Sequence, residues 1–401
     1  MTRASARSLK IVISMSLQPV TGRRMEPAII ATAIFLVLSS ALHLASIMVA
    51  IRRCRPAARG LPAPERAQPV SIIIPVCGLD NYAEETLRSA FRLDYPRYEV
   101  LFCAARTDDA ALPLIRRLIA DHPWIDARIL IGDERISENP KLNNVFKGWR
   151  EARHGWIMLP DSNVLMPPDY LQRLLGHFKA DTGLVSSPPL GCLPDGFWAE
   201  LECAFLNNHQ LRWQYFADSI GFGFAQGKTM LWRRDDLESG GGLRVLGLEA
   251  AEDAAATRIV RRLGLRVRLV EPPVRHPLGR RRLKDVWHRQ RRWARLRRAS
   301  FPVCFAPEIL CGGLPPLAAT LFLAWQGGLF LPATALAFCA AWYGTEMLLL
   351  VKAGWHVSRR SLTCAILRDL MLPVLYLNAW GGNRFEWRGH DMRAAESART
   401  S

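Results

Sequence analysis

The stretch GWIMLPDSNVLMPPDYL, residues 155–171, decides the fold. It opens on six largely apolar residues, the length of a buried strand, and then meets Asp161, Ser162 and Asn163. Three runs of the same kind precede it: VSIIIPV (70–76), YEVLFCAA (98–105) and DARILIG (126–132). Short apolar runs bounded by turn-forming residues read as strands. The segments between them, AEETLRSAFRL, DAALPLIRRLIADH and KLNNVFKGWREA, carry helical spacing instead. Such alternation predicts an α/β domain, a mostly parallel sheet with helices on both faces. Ligands of these sheets bind beyond the carboxyl ends of the strands. Asp161 and Asn163 stand there, and two oxygen donors so spaced suit a hard cation that also holds phosphates. The commoner use of an acid at that place is to cap a turn. No internal repeat is present.

Two further clusters follow. In AEDAAATRIVRRLG, Glu252 and Asp253 open a predicted helix. Acids in a first turn complement the helix dipole, and one exposed at the rim of the sheet can instead serve as a general base. In HRQRRWARLRR (288–298), helical spacing puts Arg289, Arg292 and Trp293 on one face. Leu283, Val286, Trp287, Trp293 and Ala294 gather on an arc of that helix, which makes it amphipathic. Ten Lys or Arg residues lie between 280 and 298. A basic amphipathic helix of this kind ordinarily rests on a membrane surface.

The whole composition agrees with a membrane setting. Half of the 401 residues are hydrophobic, yet the formal net charge is +17. The nine cysteines are odd in number and scattered, with no CxxC pair, which argues against a disulfide scaffold or zinc site. Residues 28–51 carry no formal charge, and a spanning helix needs about 20 apolar residues. Arginines at 52, 53, 55 and 59 follow it and draw that side to the cytoplasm. The expected organisation is a disordered leader over 1–27, a membrane helix over 28–51 and a linker over 52–69. An α/β domain over 70–279 and a basic interfacial helix over 280–300 come next. Two membrane helices within 305–352 follow, broken near Gln326-Gly327-Gly328. A short interfacial or re-entrant segment over 366–383 and a polar tail over 384–401 complete the chain.

Taken in order, these clusters resemble glycosyltransferase family 21, the ceramide glucosyltransferases, and most closely their bacterial membrane-bound members. FRLDYPRYEVLFCAA (91–105) is similar to the family's LDYPxYEV stretch, and ARILIGDERISENPKLNN (127–144) to its NPKxNN segment. GWIMLPDSNV (155–164) and AEDAAATR (251–258) match its second and third aspartates. RQRRW (289–293) matches its (Q/R)xxRW signature, and WRG (387–389) is also similar. The text departs from the family at CAARTDDAAL, where Arg106 stands for an acid and leaves Asp108 or Asp109 as the first aspartate, Asp109 being preferred. Asn163 stands where many relatives carry the second acid of DxD.

The resemblance implies a GT-A fold, Rossmann-like, and an inverting hexosyltransferase. Its donor would be a UDP-sugar such as UDP-glucose, and its acceptor the primary hydroxyl of a lipid, ceramide first, giving a β-glycosylceramide. It assigns the base to Asp253, and transition-state cations to Arg289 and Arg292, with Trp293 walling the site. Donor binding falls to Asp109, Lys141, Asn144, Asp161 and Asn163, with Mg2+ or Mn2+ on Asp161 and Asn163. Gly227, Lys228 and His209 are assigned to a substrate-facing loop or to the acceptor. The implied setting is the bacterial inner membrane, multi-pass, with the catalytic domain facing the cytoplasm. Diacylglycerol or hopanoid acceptors satisfy the same physics. A processive polysaccharide synthase is the rival enzyme, and needs more spanning helices than are counted here. A nucleic-acid partner is not expected, since it leaves Asp161 and Asp253 without a purpose.

Overall fold

The computed structural model describes residues 26–55, 60–62, 64, 67–249, 251–382, 384–387 and 390–393. Nearly all of the leader, part of the linker, and Arg388 and Gly389 of the WRG triplet lie outside the described residues. The four expected strands are β1 (Val70–Val76), β2 (Tyr98–Ala104), β3 (Asp126–Ile131) and β4 (Trp156–Pro160). Five more follow in the same domain: β5 (Thr182–Ser186), β6 (Pro189–Asp195), β7 (Thr229–Arg233), β8 (Arg266–Leu269) and β9 (Val274–Arg280). Seven form one sheet in the order β3-β2-β1-β4-β7-β5-β8, and β6 pairs with β9 in a small parallel ribbon. The pairs β1–β2, β1–β4, β2–β3 and β5–β8 are parallel, whereas β7 runs antiparallel to β4 and β5. The domain is thus a mixed α/β sheet, mostly parallel, of the GT-A type that the resemblance implied.

Alternation along β1 feeds both sides of this sheet. Ile72 and Ile74 join one buried cluster with Phe102, Ile115 and Leu118, while Ile73 joins the other with Leu142, Val145 and Trp232. The close approach of helix Pro140–Glu151 has a visible cause. A Cβ on Gly148 would lie 2.5 Å from Ile73 Cγ2 and 2.7 Å from Cys103 Sγ. That helix carries Lys141 into the site, so its seating on the sheet matters for function.

Among the described residues, three helices are long and apolar enough to cross a membrane: Pro27–Arg53, Leu331–Lys352 and Ser361–Trp380. A fourth apolar piece is a pair, Pro302–Leu310 and Leu314–Gln326, bent by 43°. Two expectations change here. The segment expected as short at 366–383 is one continuous helix of 20 residues, and the bend falls upstream of it instead. Arg368 and Asp369 are two charges inside this apolar helix. In the fold they are 1% exposed, because Arg368 forks onto both Glu346 oxygens at 2.9 and 3.0 Å and also holds Asp369 at 2.7 Å. The other Asp369 oxygen accepts from Gly313 N at 2.6 Å and from the Tyr343 hydroxyl at 3.1 Å, which fixes the bend.

Arg212 of the α/β domain reaches the same Glu346 at 3.4 Å and His43 of the first apolar helix at 3.2 Å. Arg53, at the end of that helix, holds Asp218 at 2.7 Å and Glu271 at 2.5 Å. Ion pairs therefore bolt the apolar helices to the sheet domain at two places. Removing one member of a buried pair leaves the other charge uncompensated, at a cost of about 3–5 kcal/mol. Glu346→Ala removes the acid that Arg212 shares with Arg368, leaves Arg368 to Asp369, and should lower stability by about that amount. Thermal melting of the full-length protein in detergent reads the change; an unaltered melt would mean that the arginines find other partners.

Candidate active site

The site grows from Asn139 and Pro140. Asn139 caps helix Pro140–Glu151, its side chain accepting from Lys141 N and Leu142 N, and Pro140 takes the first helical position, where its missing N–H costs nothing. The cap aims Lys141 at the carboxyl end of β4. Its ammonium lies 2.8 Å from Asp161 Oδ1 and 2.9 Å from Glu252 Oε1, and donates to Gly227 O at 2.7 Å. The Asn139 amide also donates to Glu252, through the other oxygen at 3.1 Å. Gly227 is needed for this closeness, since a Cβ there would meet Glu252 Oε1 at 2.9 Å. Lys228 approaches from the other side, 3.0 Å from Asp161 Oδ2 and 2.7 Å from Asn163 Oδ1. Asn163 donates in turn to Asp80 Oδ2 at 2.9 Å, and its carbonyl lies 3.0 Å from His276 Nδ1.

Asp253 borders this cluster at the start of helix Glu252–Arg262. Its oxygens accept from Gly227 N at 3.2 Å and from Ala254 N at 2.8 Å. Burial, and then the neighbouring Glu252 charge, push its carboxyl up to about 6, while the two N–H groups and Lys141 work against them. Asp161 shows the opposite balance. Burial alone would raise it, but Lys141 and Lys228 hold it well below the usual carboxylate range. Burial would lower Lys141 too, yet Asp161 and Glu252 outweigh it and keep the ammonium charged. Lys228 is the less secure cation: burial lowers it, Asp161 only partly compensates, and Arg289 repels it. His276 is held far below its ordinary value by burial, then by Lys228 and Arg289, so its imidazole is neutral.

Lys141, Asp161, Asn163, Gly227, Lys228 and Asp253 thus come together. Asp109, rather than exposed Asp108, turns inward, both its oxygens 3.1 Å from Gly78 N at the end of β1. Asn144 is placed differently from its expected donor role. Its amide donates to Val76 O and Cys103 O and its oxygen accepts from Lys147, so it fastens β1 to β2. His209 also lies elsewhere, in a π-helix, Ala204–Leu211, facing a cavity of about 20 Å³ with Gln290, Arg297 and Tyr376.

The basic helix spans Leu283–Ser300, and buries Val286, Gln290, Ala294 and Ala299. Leu283, expected on its apolar arc, is 43% exposed. Trp293 packs against Ala199, Cys203, Leu206 and Leu278. Arg289 is held by Glu202, which also takes Arg281 at 3.2 Å. Arg292 lies on the same helix. Sequence reasoning missed Glu202, Asp80 and His276, and passed over Glu252 in favour of its neighbour. Asp80 follows the end of β1 and was open to the same strand-end rule that found Asp161. Glu202 had no signal, because its role depends on a helix brought in from a distant part of the chain.

As to a metal, a carboxylate and an amide oxygen are the hard donors that Mg2+ or Mn2+ accepts. Among the described residues no group of three or more His, Cys, Asp or Glu could hold an ion. Asp161 and Asn163 offer two oxygens of that kind, and any further ligands of an ion there would have to come from elsewhere.

The family model for glycosyl transferase family 21 matches residues 37–400. The chain belongs to that family. Ceramide glucosyltransferase 1 of Caenorhabditis elegans is 28% identical to it over 243 residues, 60% of this chain and 52% of that protein. Ceramide glucosyltransferase 3 of the same organism is 26% identical over 330 residues, 80% of this chain and 72% of that protein. The chain thus spans about half the length of the first of these relatives and nearly three quarters of the second. Among solved structures, a mannosyltransferase from Pyrobaculum calidifontis in complex with GDP-Man and Mn2+ is 19% identical, with a TM-score of 0.47. That likeness covers 87% of this chain and 98% of the other.

The electrostatics of this glycosyltransferase site give a stability signature. A carboxylate with a depressed pKa contributes stability above its ordinary pKa and loses it as pH falls. Asp161 is such a group, and Lys141 is the first cation that depresses it. Lys141→Met should therefore lower the melting temperature at neutral pH, and the deficit should shrink as pH falls through and below the ordinary aspartate range, where the Asp161 carboxylate loses the contribution that Lys141 supports. A deficit that stays constant with pH would point to lost packing alone.

Proposed function

We propose that this glycosyltransferase moves a hexose, glucose first, from a UDP-sugar to the primary hydroxyl of a membrane lipid, ceramide first, with inversion. The observation that carries the reading is Asp253, a carboxylate poised near neutrality beside the Lys141–Asp161–Lys228 cluster at the carboxyl end of β4. Inversion needs one in-line attack, so a base must take the acceptor's proton while the diphosphate leaves from the opposite face. At neutral pH Asp253 is ionised and can accept that proton. Asp161 and Asn163 would hold a divalent cation, which offsets charge on the departing diphosphate. Fixed cations aimed at developing charge are a large catalytic effect. Lys141 serves in this way, and Arg289 and Arg292 add their charge from the basic helix while Trp293 closes the wall. Asp109 supports the nucleotide at the ends of β1 and β2.

The relatives named ceramide glucosyltransferase support the lipid acceptor, and so does the architecture. With membrane-length helices on both sides of the domain, the acceptor hydroxyl stays at headgroup level and enters sideways. The arginines after the first membrane helix favour a cytoplasmic catalytic face, as in a bacterial inner membrane.

Purified membranes given ceramide and a panel of labelled UDP-sugars should yield one singly glycosylated lipid by mass analysis. A ladder of sugars would point to a processive synthase, and an unchanged product from Asp253→Asn would remove that residue as base. The base must be ionised, so kcat/KM should fall as pH drops through about 6. Glu252→Gln removes the second cause that raises Asp253, and its acid limb should move to lower pH. A limb that stays in place would assign the titration to another group.

A further inference from the structure

Three oxygens that a metal would use are already engaged. Asp161 Oδ1 faces the Lys141 ammonium at 2.8 Å, while Asp161 Oδ2 and Asn163 Oδ1 face that of Lys228 at 3.0 and 2.7 Å. A divalent ion bridging Asp161 and Asn163 would have to take the position of Lys228 Nζ. The two lysines are not equivalent. Lys141 has three acceptors, Asp161, Glu252 and Gly227 O, and is the fixed member. Lys228 has the two that the metal would claim. Its backbone carbonyl accepts from Asp161 N at 3.0 Å, so the main chain keeps its register while the side chain swings. Mg2+ demands octahedral oxygen coordination, and among the described residues no group of three or more His, Cys, Asp or Glu could hold an ion.

We propose that Lys228 is a built-in cation that fills the metal position in the donor-free enzyme, so that a divalent ion enters together with a nucleoside diphosphate. Diphosphate oxygens complete the ion's shell and receive the Lys228 ammonium that the ion displaces. The same residue then counters charge on the leaving group. This deepens the proposed use of a sugar nucleotide and rests on it for the second half of the exchange.

The test follows Mn2+ by its electron paramagnetic resonance signal, with full-length protein in detergent, with and without UDP. Wild type should bind Mn2+ alone about tenfold more weakly than with UDP, a usual size for coupling between two ligands. Lys228→Met should bind Mn2+ alone about tenfold more tightly than wild type, again the scale of such a coupling. Lys228→Arg keeps the charge and should stay weak; melting curves confirm that both variants fold. Equal binding of Mn2+ alone by wild type and Lys228→Met would overturn the proposal. So would UDP binding to wild type with no Mn2+ taken up. If UDP does not bind at all, the donor reading fails, and the comparison of wild type with Lys228→Met on Mn2+ alone still decides the role of Lys228.

Discussion

The Lys141 ammonium is the point on which the site depends. It ties together the end of β4 through Asp161, the loop before β7 through Gly227 O, and the start of helix Glu252–Arg262 through Glu252. Those segments are far apart in the chain, and two of them bring carboxylates that would repel one another. A single buried cation turns that repulsion into a junction. It also sets the Asp253 environment, because the Glu252 it holds is the charge that raises Asp253. Asn139, Pro140 and Gly148 find their purpose here: cap, helix start and close seating all serve to deliver one amine.

The sheet was legible because its strands are apolar runs bounded by turns, and strand ends locate a site by a general rule. Asp161, Asn163 and Asp253 could be picked out in that way. Lys141 and Lys228 came only from the resemblance, and their mutual arrangement around Asp161 is tertiary. Asn144 was misread because a buried asparagine next to a catalytic-looking motif can equally be spent on backbone carbonyls. The basic helix was read as an amphipathic surface piece. Its Gln290 is buried, and Glu202, a partner from another helix, takes up Arg289. Charge density along a sequence shows that arginines are present; it does not reveal which acid will meet them.

The same lesson holds in the apolar helices. Arg368 and Asp369 are charges inside the segment expected as short, and the fold accommodates them in one long helix because Glu346 pairs with Arg368, and Arg368 with Asp369. Intramembrane charges are costly unless paired, and where paired they mark function or assembly. Here they join membrane-length helices to the domain that carries the π-helix, with its cavity-facing His209.

Arg53 closes the argument. Its grip on Asp218 and Glu271, together with the Glu346 junction, leaves the sheet domain little freedom to rise or tilt. In a bilayer, such a mount would act as a height gauge. If the acceptor is the membrane lipid proposed above, its hydroxyl would be chosen partly by how far it protrudes above the hydrocarbon, so two lipids with identical head chemistry but different depth would be different substrates.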